Sequence, residues 1–185
     1  ISNWDTSRVE SMYGMFKSSK YKGSYYLGET SFNQDISNWD VSNVKNMSEM
    51  FLGASSFNQD ISNWDVSNVE NMAHMFSGAI SFNQPIGNWD VSNVKNMAHM
   101  FSDINSIGIV AFVGTLEYTR AGSTSFNQPI GNWDVSNVND MNGMFSGATS
   151  FNQPIGNWNV SKAVNISSMF SGATSFNQPI GNWNV

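Results

Sequence analysis

Carboxylates recur at a fixed position in this 185-residue chain and could do metal chemistry. In the last two copies this position holds Asn159 and Asn184. In the first five copies it holds aspartate: Asp5, Asp40, Asp65, Asp90 and Asp134. Regularly spaced carboxylates can bind Ca²⁺, which takes oxygen ligands, so Asp40, Asp65, Asp90 and Asp134 form a candidate calcium row. Asp side chains also bond to nearby backbone amides in turns. Replacement by Asn favours this second, structural interpretation.

His74 and His99 are 25 residues apart and are predicted to be neighbours. A zinc or other metal pair is one interpretation. The same position elsewhere holds Gly, Glu or Ser, which indicates an exposed and unconstrained site. The sequence offers no set of nucleophile, base and orienting residue, and no glycine-rich phosphate loop. It therefore predicts no enzyme activity and no cofactor.

These side chains sit in a 25-residue unit, ISNWDVSNVKNMSEMFLGASSFNQD in the copy from Ile36 to Asp60. Copies begin at Ile1, Ile36, Ile61, Ile86, Ile130 and Ile155, and a truncated seventh begins at Ile180. The first and fourth copies carry inserts of 10 and 19 residues, at 20–29 and 104–122. A fixed period of this length predicts a solenoid of stacked coils. We expect one solenoid domain over 1–185, taken from a longer protein because the chain starts without Met and stops inside a repeat.

The pattern inside one unit predicts a short strand followed by a short helix. In the fourth copy, the apolar residues of 86–91 suit an extended segment, and Pro85 and Gly87 mark a turn at its start. Four apolar residues then follow at helical spacing: Val94, Met97, Met100 and Phe101. Glycine after this stripe, at Gly53, Gly78, Gly147 and Gly172, suits a left-handed residue that ends a helix. The predicted fold is a leucine-rich-repeat-like solenoid, and a parallel β-helix-like solenoid is the alternative.

Aromatic and amide side chains also form rows at the repeat spacing. The tryptophans are Trp4, Trp39, Trp64, Trp89, Trp133, Trp158 and Trp183. An exposed row of indoles would be a platform for carbohydrate, whereas a solenoid core would bury it, and the need for a core favours burial. Two Asn rows, one containing Asn33 and the other Asn38, are predicted to satisfy backbone groups in turns.

Composition excludes some partners. The net charge is -6, with 8 basic and 14 acidic residues, which argues against nucleic acid. No apolar run reaches the ~18 residues of a membrane-spanning helix. The chain has no cysteine, so disulfides and cysteine metal sites are excluded.

The inserts are the places where a partner could be recognised specifically. Both enter between the predicted helix and the SFNQ return, so both are expected on one side of the solenoid. The run 107–113 has strand character and is predicted either to pack on the coil or to contact another molecule. The candidate contact residues are Tyr21, Tyr25, Tyr26, Ile109, Phe112 and Tyr118.

The stretch SFNQPIGNWDVSNVKNMAHMF, residues 81–101, resembles the 25-residue repeat of BspA-like leucine-rich-repeat surface proteins. The resemblance covers nearly the whole chain outside the inserts. It implies a leucine-rich-repeat-like solenoid with Trp, Met and Phe in place of leucine, displayed outside the cell for adhesion, binding or surface assembly. It brings no catalytic residues.

Three classes of function remain open. The first is a non-catalytic extracellular or cell-surface repeat protein that acts in adhesion or in surface or fibre assembly, with a protein, a glycan or another copy as partner. The second is a glycan- or ligand-binding module that uses an exposed aromatic row. The third is an ice-binding solenoid, which needs a flat Ser/Thr face and finds only one such row here.

Overall fold

The computed structural model describes residues 1–18, 21–22, 25–26, 30–103 and 125–185. Two short strands are present, β1 (Tyr21–Lys22) and β2 (Tyr25–Tyr26). They pair antiparallel, with Tyr21 opposite Tyr26 and Lys22 opposite Tyr25. We call the six full repeats coils 1 to 6, beginning at Ile1, Ile36, Ile61, Ile86, Ile130 and Ile155, and the segment 180–185 the seventh.

The prediction of one strand and one helix per repeat is wrong. Within the described ranges no residue lies in a helix, and β1 and β2 belong to the first insert and not to the repeat. The leucine-rich-repeat-like fold class is therefore incorrect. The parallel β-helix alternative also fails, because parallel pairing between coils is confined to isolated single-residue bridges and forms no strands.

Tight turns replace the predicted helix. Met100 donates its backbone N–H to the Met97 carbonyl three residues back, as in a turn. The N–H groups of Met97, His99 and Phe101 instead donate to carbonyls of coil 5. Because a helix needs successive N–H groups to bond four residues back within the segment, this alternation rules it out. The apolar residues do face inward, as their spacing predicts, but the backbone that carries them is a series of turns and not a helix.

Tight turns also replace the predicted strand. In coil 4, Trp89 donates its N–H to the Ile86 carbonyl and Val94 donates to Val91. The same two turns recur in coils 2, 3 and 5. Two bends within nine residues leave no room for an extended segment, yet they turn Ile86, Trp89 and Val91 into the interior.

Residues one repeat apart lie next to each other. Parallel bridges link one position through all six coils: Ser11, Asn46, Asn71, Asn96, Asp140 and Asn165. After this bridge, N–H groups of one coil donate to carbonyls of the next, such as Met72 to Asn96 at 2.9 Å and Phe76 to Met100 at 2.9 Å. Just before the bridge the direction reverses, since the Glu70 N–H donates to the Lys45 carbonyl of the preceding coil at 2.8 Å. The inserts do not interrupt this stacking, since Met97 of coil 4 bonds to Asp140 of coil 5.

The interior is built from rows of apolar side chains. Two rows of Phe rings stack, one containing Phe51, Phe76 and Phe101 and the other containing Phe57 and Phe82. Ring centroids are 5.5 Å apart for Phe51 and Phe76, and 4.0 Å apart for Phe76 and Phe82 in adjacent rows. These rings are at most 1% exposed. Met and Val rows complete the core, so each coil packs mainly against its two neighbours.

Each buried indole also forms a hydrogen bond between coils. The Nε1–H of Trp64 donates to the Ile36 carbonyl at 3.2 Å, and that of Trp89 donates to the Ile61 carbonyl at 3.2 Å. The same bond joins Trp39 to Ile1, Trp133 to Ile86, Trp158 to Ile130 and Trp183 to Ile155. Tryptophan is thus both core side chain and link to the preceding coil.

We predict that Trp89→Phe lowers the free energy of unfolding by about 2 kcal/mol. The change removes the bond to Ile61, leaves part of a buried volume empty and takes one partner from a buried carbonyl. Urea unfolding followed by circular dichroism measures the loss.

The control for this change is Trp4→Phe. Trp4 is 55% exposed and stacks on Trp39 at 6.1 Å, and its expected loss is less than half as large. Equal losses at the two positions would contradict the assigned role of the indole bond.

Glycine at the Pro-Ile-Gly turns is required by the close approach of the next such turn along the stack. A Cβ added to Gly131 would lie 2.4 Å from the carbonyl oxygen of Pro154, which begins the next Pro-Ile-Gly turn. Gly87 and Gly156 face Pro129 and Pro179 in the same way. Gly181 has nothing within 4 Å of the corresponding point.

We predict that Gly131→Ala destabilises the protein by about 1–3 kcal/mol, because the methyl group forces the Pro154 carbonyl away. The matched change Gly181→Ala is expected to alter stability by less than about 0.5 kcal/mol. Thermal unfolding of both variants tests the pair. A Gly131→Ala protein as stable as the wild type would show that the two successive Pro-Ile-Gly turns can move apart at no cost.

Candidate functional site

The internal tryptophans do not form a surface. Trp39, Trp64, Trp89 and Trp158 are each 4% exposed and Trp133 is 3% exposed, as the interpretation of this row as core predicted. Their indole faces are covered by the phenylalanine rows, as where Phe76 lies 6.4 Å from Trp89. A sugar therefore has no access to these five rings.

The Asn row containing Asn33 satisfies backbone groups, as the sequence predicted. Asn58 Oδ1 accepts hydrogen bonds from the Asn83 backbone N–H at 2.9 Å and from Gln84 Nε2 at 2.9 Å. The same pair of bonds begins at Asn33, Asn83, Asn127 and Asn152. The SFNQ return is thus a hydrogen-bonded seam that runs along the stack.

The row containing Asn38 behaves differently. Asn38, Asn63, Asn88, Asn132 and Asn157 are all exposed. Each occupies the third residue of the turn that the following Trp closes. This row faces solvent and leaves its carboxamides available to another molecule.

The Asp row closes local turns. Asp40 Oδ1 accepts bonds from the Ser42 N–H at 3.0 Å and from the Ser42 hydroxyl at 2.6 Å. Asp5, Asp65, Asp90 and Asp134 accept the same backbone bond from the Ser two residues on, and Asn159 does so from Ser161. These bonds stabilise the charged carboxylate, so the Ser42 hydroxyl and then its amide lower the pKa of Asp40.

The candidate calcium row is therefore already engaged by serine. Among the described side chains, no three His, Asp or Glu groups come together as a metal site would require. Each carboxylate of the row keeps one oxygen that these bonds do not use. Calcium binding by Asp40, Asp65, Asp90 and Asp134 stays a prediction.

We predict that replacing Asp90 and Asp134 with Asn leaves stability at pH 7 within about 0.5 kcal/mol of the wild type, because Asn159 makes the same bond. The lowered pKa values of Asp90 and Asp134 mean that the folded carboxylates hold their charge better than the unfolded ones. Their stabilising effect is present above the ordinary value of 3.8 and is lost as pH falls through the folded values. Unfolding midpoints between pH 5 and pH 2 should therefore fall less steeply in the variant.

Asp90→Ala and Asp134→Ala are the contrasting changes, because alanine accepts no bond from Ser92 or Ser136. This pair should be less stable than the Asn pair at pH 7. Acid sensitivity identical to that of the wild type in the Asn variant would count against a contribution from these carboxylates.

The position of His74 and His99 is constrained, contrary to the sequence interpretation of an exposed, free site. Both residues are half-buried and have left-handed φ angles of 57° and 55°. The same left-handed geometry occurs at Gly14, Glu49, Gly143 and Ser168, so one turn shape recurs in all six coils. The sequence signal for this left-handed turn was the presence of two glycines among the six residues, since glycine adopts positive φ readily.

The two imidazoles stack directly on each other. Their ring centroids are 4.9 Å apart and their planes differ by 9°. Burial lowers the pKa of both rings below the ordinary value of 6.5, and the His99 charge lowers that of His74 further. Glu49 and Asp140 act in the opposite direction on His74. Parallel stacked rings do not converge on one point, so this geometry does not form a metal pair.

A small polar cluster that sequence reasoning missed lies beside His74. Glu49 accepts hydrogen bonds from Lys17 Nζ at 2.6 Å and from the Tyr13 hydroxyl at 3.1 Å. The Lys17 ammonium also lies 5.4 Å from the centre of the Tyr13 ring. Tyr13 and Lys17 depart from the repeat consensus, and that departure was the only signal in the sequence.

Opposite charges alternate along an exposed column. Lys45 pairs with Glu10 at 3.1 Å and Lys95 pairs with Glu70 at 2.6 Å. Such exposed pairs contribute little to stability but keep the column polar and balanced.

Open hollows of about 700 and 490 Å³ lie at the two ends of the stack. Trp4, Met12 and Met15 line the first, and Met169, Phe170 and Trp183 line the second. These side chains belong to the rows that form the core elsewhere, and neither hollow brings together a nucleophile and a base.

The six predicted contact residues of the inserts divide equally between the described part of the chain and the rest. Ile109, Phe112 and Tyr118 lie outside the described residues. Tyr21, Tyr25 and Tyr26 lie in β1 and β2, which place their backbone within one hairpin. The prediction that these six residues contact a partner therefore stays untested.

In the described part of the chain, no helix is long and apolar enough to cross a membrane.

A family profile matches the chain over residues 1–109 and again over 109–185. Its description is Mycoplasma protein of unknown function, DUF285. The chain belongs to this family. No curated protein matches the sequence, and no solved structure matches it. Membership in the DUF285 family accounts for the repeats in both halves of the chain and assigns no activity to any of the rows described above.

Proposed function

We propose that the protein is a non-catalytic extracellular or cell-surface repeat protein that acts in adhesion or in surface or fibre assembly. The observation that carries the proposal is how the repeated side chains are used. Trp, Phe and Met rows fill the interior, and the Asn33, Asp and Ser rows bond within the stack. The repeated part is thereby a rigid spacer. Recognition of a partner is left to the non-repeated inserts and to the exposed row that contains Asn38.

The resemblance to BspA-like surface proteins supports this role, because members of that group often carry the DUF285 repeat. A long, regular body with little free chemistry suits display of a contact site away from a cell. The DUF285 family of this chain is described from Mycoplasma proteins, and the proposed location is the cell surface or its exterior.

The proposed contact region is formed by the inserts at 20–29 and 104–122. The described residues before them are Ser18 in coil 1 and Asp103 in coil 4, whose N–H groups donate to the Leu52 and Ser146 carbonyls of the following coils. The SFNQ returns at 31–34 and 125–128 follow them in the sequence. Because Ser18 and Asp103 are equivalent residues of their coils, we expect both inserts on the same side of the stack. The tyrosines of the first insert and the apolar run of the second supply contact chemistry that the coils lack.

The exposed Asn38 row is a second candidate contact surface. Its carboxamides repeat once per coil and face solvent in coils 2 to 6. Amide groups donate and accept hydrogen bonds, which suits hydroxyl groups of a glycan or the backbone of another copy.

We predict that removing 20–29 and 104–122 abolishes adhesion and leaves the stack folded. The deletion restores 25-residue spacing in coils 1 and 4, which is the spacing of coils 2, 3 and 5. Retention of the wild-type protein and of the deletion variant on a panel of glycans and extracellular matrix proteins gives the readout. Light scattering on the same samples reports assembly.

The matched control keeps both insert lengths and replaces the six predicted contact residues with Ser. Blue-shifted tryptophan emission in every variant shows that the stack is intact. Loss of adhesion in both variants supports recognition by the inserts. Undiminished adhesion in both moves the contact to the coil surface, and a wild-type protein that neither adheres nor assembles would overturn the proposed function.

A further inference from the structure

The stacked imidazoles of His74 and His99, which we call the His pair, connect coils 3 and 4 at the left-handed turn. The His99 ring also covers the next coil, because a Cβ added to Gly143 would lie 2.4 Å from its Cε1 atom. The two rings therefore occupy a continuous space between Glu49 of coil 2 and Gly143 of coil 5. They are the only two histidines in the chain.

The backbone holds the His pair in place. His74 donates its N–H to the Ala98 carbonyl at 2.8 Å, and His99 donates its N–H to the Asn142 carbonyl at 2.8 Å. Both residues adopt positive φ, which costs free energy for a residue with a Cβ. A strained pair of identical side chains in successive coils is a feature that the general repeat does not need, since Gly serves at this position in coils 1 and 5.

The surroundings of the rings oppose protonation. The Nδ1 atoms of both histidines are buried and make no hydrogen bond in the described structure. A neutral ring can leave one nitrogen without a proton, but an imidazolium carries N–H on both. Protonation would thus bury a charged donor without an acceptor and place two positive rings 4.9 Å apart.

The charged groups nearby do not remove this opposition. Glu49 faces His74 from coil 2, but Lys17 and Tyr13 already bind its carboxylate. Asp140 faces both rings from coil 5, and its Oδ1 accepts the Asn142 N–H at 2.9 Å. Asn142 bonds the His99 side chain and favours its charge. The negative groups can therefore support one proton more readily than two.

We propose that the His pair is an acid-sensitive joint that holds coils 3 and 4 together at neutral pH and loosens them in mildly acidic surroundings. The unfolded or opened state takes up protons more readily than the closed stack. Stability at the joint is therefore complete above the ordinary histidine pKa of 6.5 and is lost as pH falls through that value toward the lower folded values. The joint does not depend on the proposed adhesive role.

Hydrogen exchange between pH 7.5 and pH 5.5 tests the joint, because this range spans the ordinary histidine pKa of 6.5, whereas the pKa values of Asp40 and Asp90 are lowered from 3.8. The amides of His74 and Phe76 bond across the joint, to Ala98 and Met100. After correction for intrinsic rates, their exchange should accelerate about tenfold at pH 5.5. The amide of Phe145, bonded to Met169 between coils 5 and 6, is the internal control and should change less than about twofold.

The matched variant carries His74→Asn and His99→Asn. Asn tolerates positive φ and has no charge to gain, so the variant keeps the turn and removes the titration. Its exchange at residues 74 and 76 should lose the dependence on pH. The single change His99→Asn leaves one ring and should retain a weaker dependence, which guards against an unfolded double variant.

Imidazole resonances followed by NMR complete the test. Titration of both rings below the ordinary value, together with pH-dependent exchange that the Asn variant lacks, supports the joint. Titration of both rings at or above 6.5, or equal acceleration in wild type and variant, overturns it. Neither result depends on whether the protein adheres to anything.

Discussion

Backbone hydrogen bonds between successive coils are the constraint on which this structure depends. Within one coil, turns satisfy only some of the N–H and carbonyl groups, and the remainder find partners one repeat away. Buried backbone groups without a partner are costly, so a lone coil would leave such groups unpaired. Side chains follow the same rule, because Trp Nε1 and Asn Oδ1 also bond to the adjacent coil. Position in the stack therefore matters more for each residue than its local backbone geometry.

The sequence predicted which residues are neighbours and which face inward. Identical residues at one spacing favour stacking, and apolar residues recur at the same places in every copy, so the Trp row could be assigned to the core. The turn glycines were also found, since Gly53, Gly78, Gly147 and Gly172 all have φ between 69° and 73°. These inferences depend on the repeat and on side-chain chemistry, both of which are visible in one sequence.

The backbone within a coil could not be predicted in the same way. Apolar spacing at Val94, Met97, Met100 and Phe101 fits one face of a helix, but it also fits a succession of turns whose free N–H groups bond to another coil. Only the long-range hydrogen bonds distinguish the helix from the succession of turns, and the periodicity of apolar residues carries no information about those bonds. The His column shows a similar limit. The variety of residues in this column suggested an unconstrained position. In the structure all six residues share one left-handed backbone conformation, which tolerates different side chains.

The orientation of the bonds between coils has a mechanical consequence. They run along the stack, so tension applied to the chain ends would open them one layer at a time and would not shear many at once. Each layer without an insert adds 25 residues of slack when released, roughly 85 Å at about 3.4 Å per residue. The layer from Ile86 to Pro129 holds 44 residues and gives roughly 150 Å. A protein built this way lengthens under load in discrete steps, as an extensible tether does.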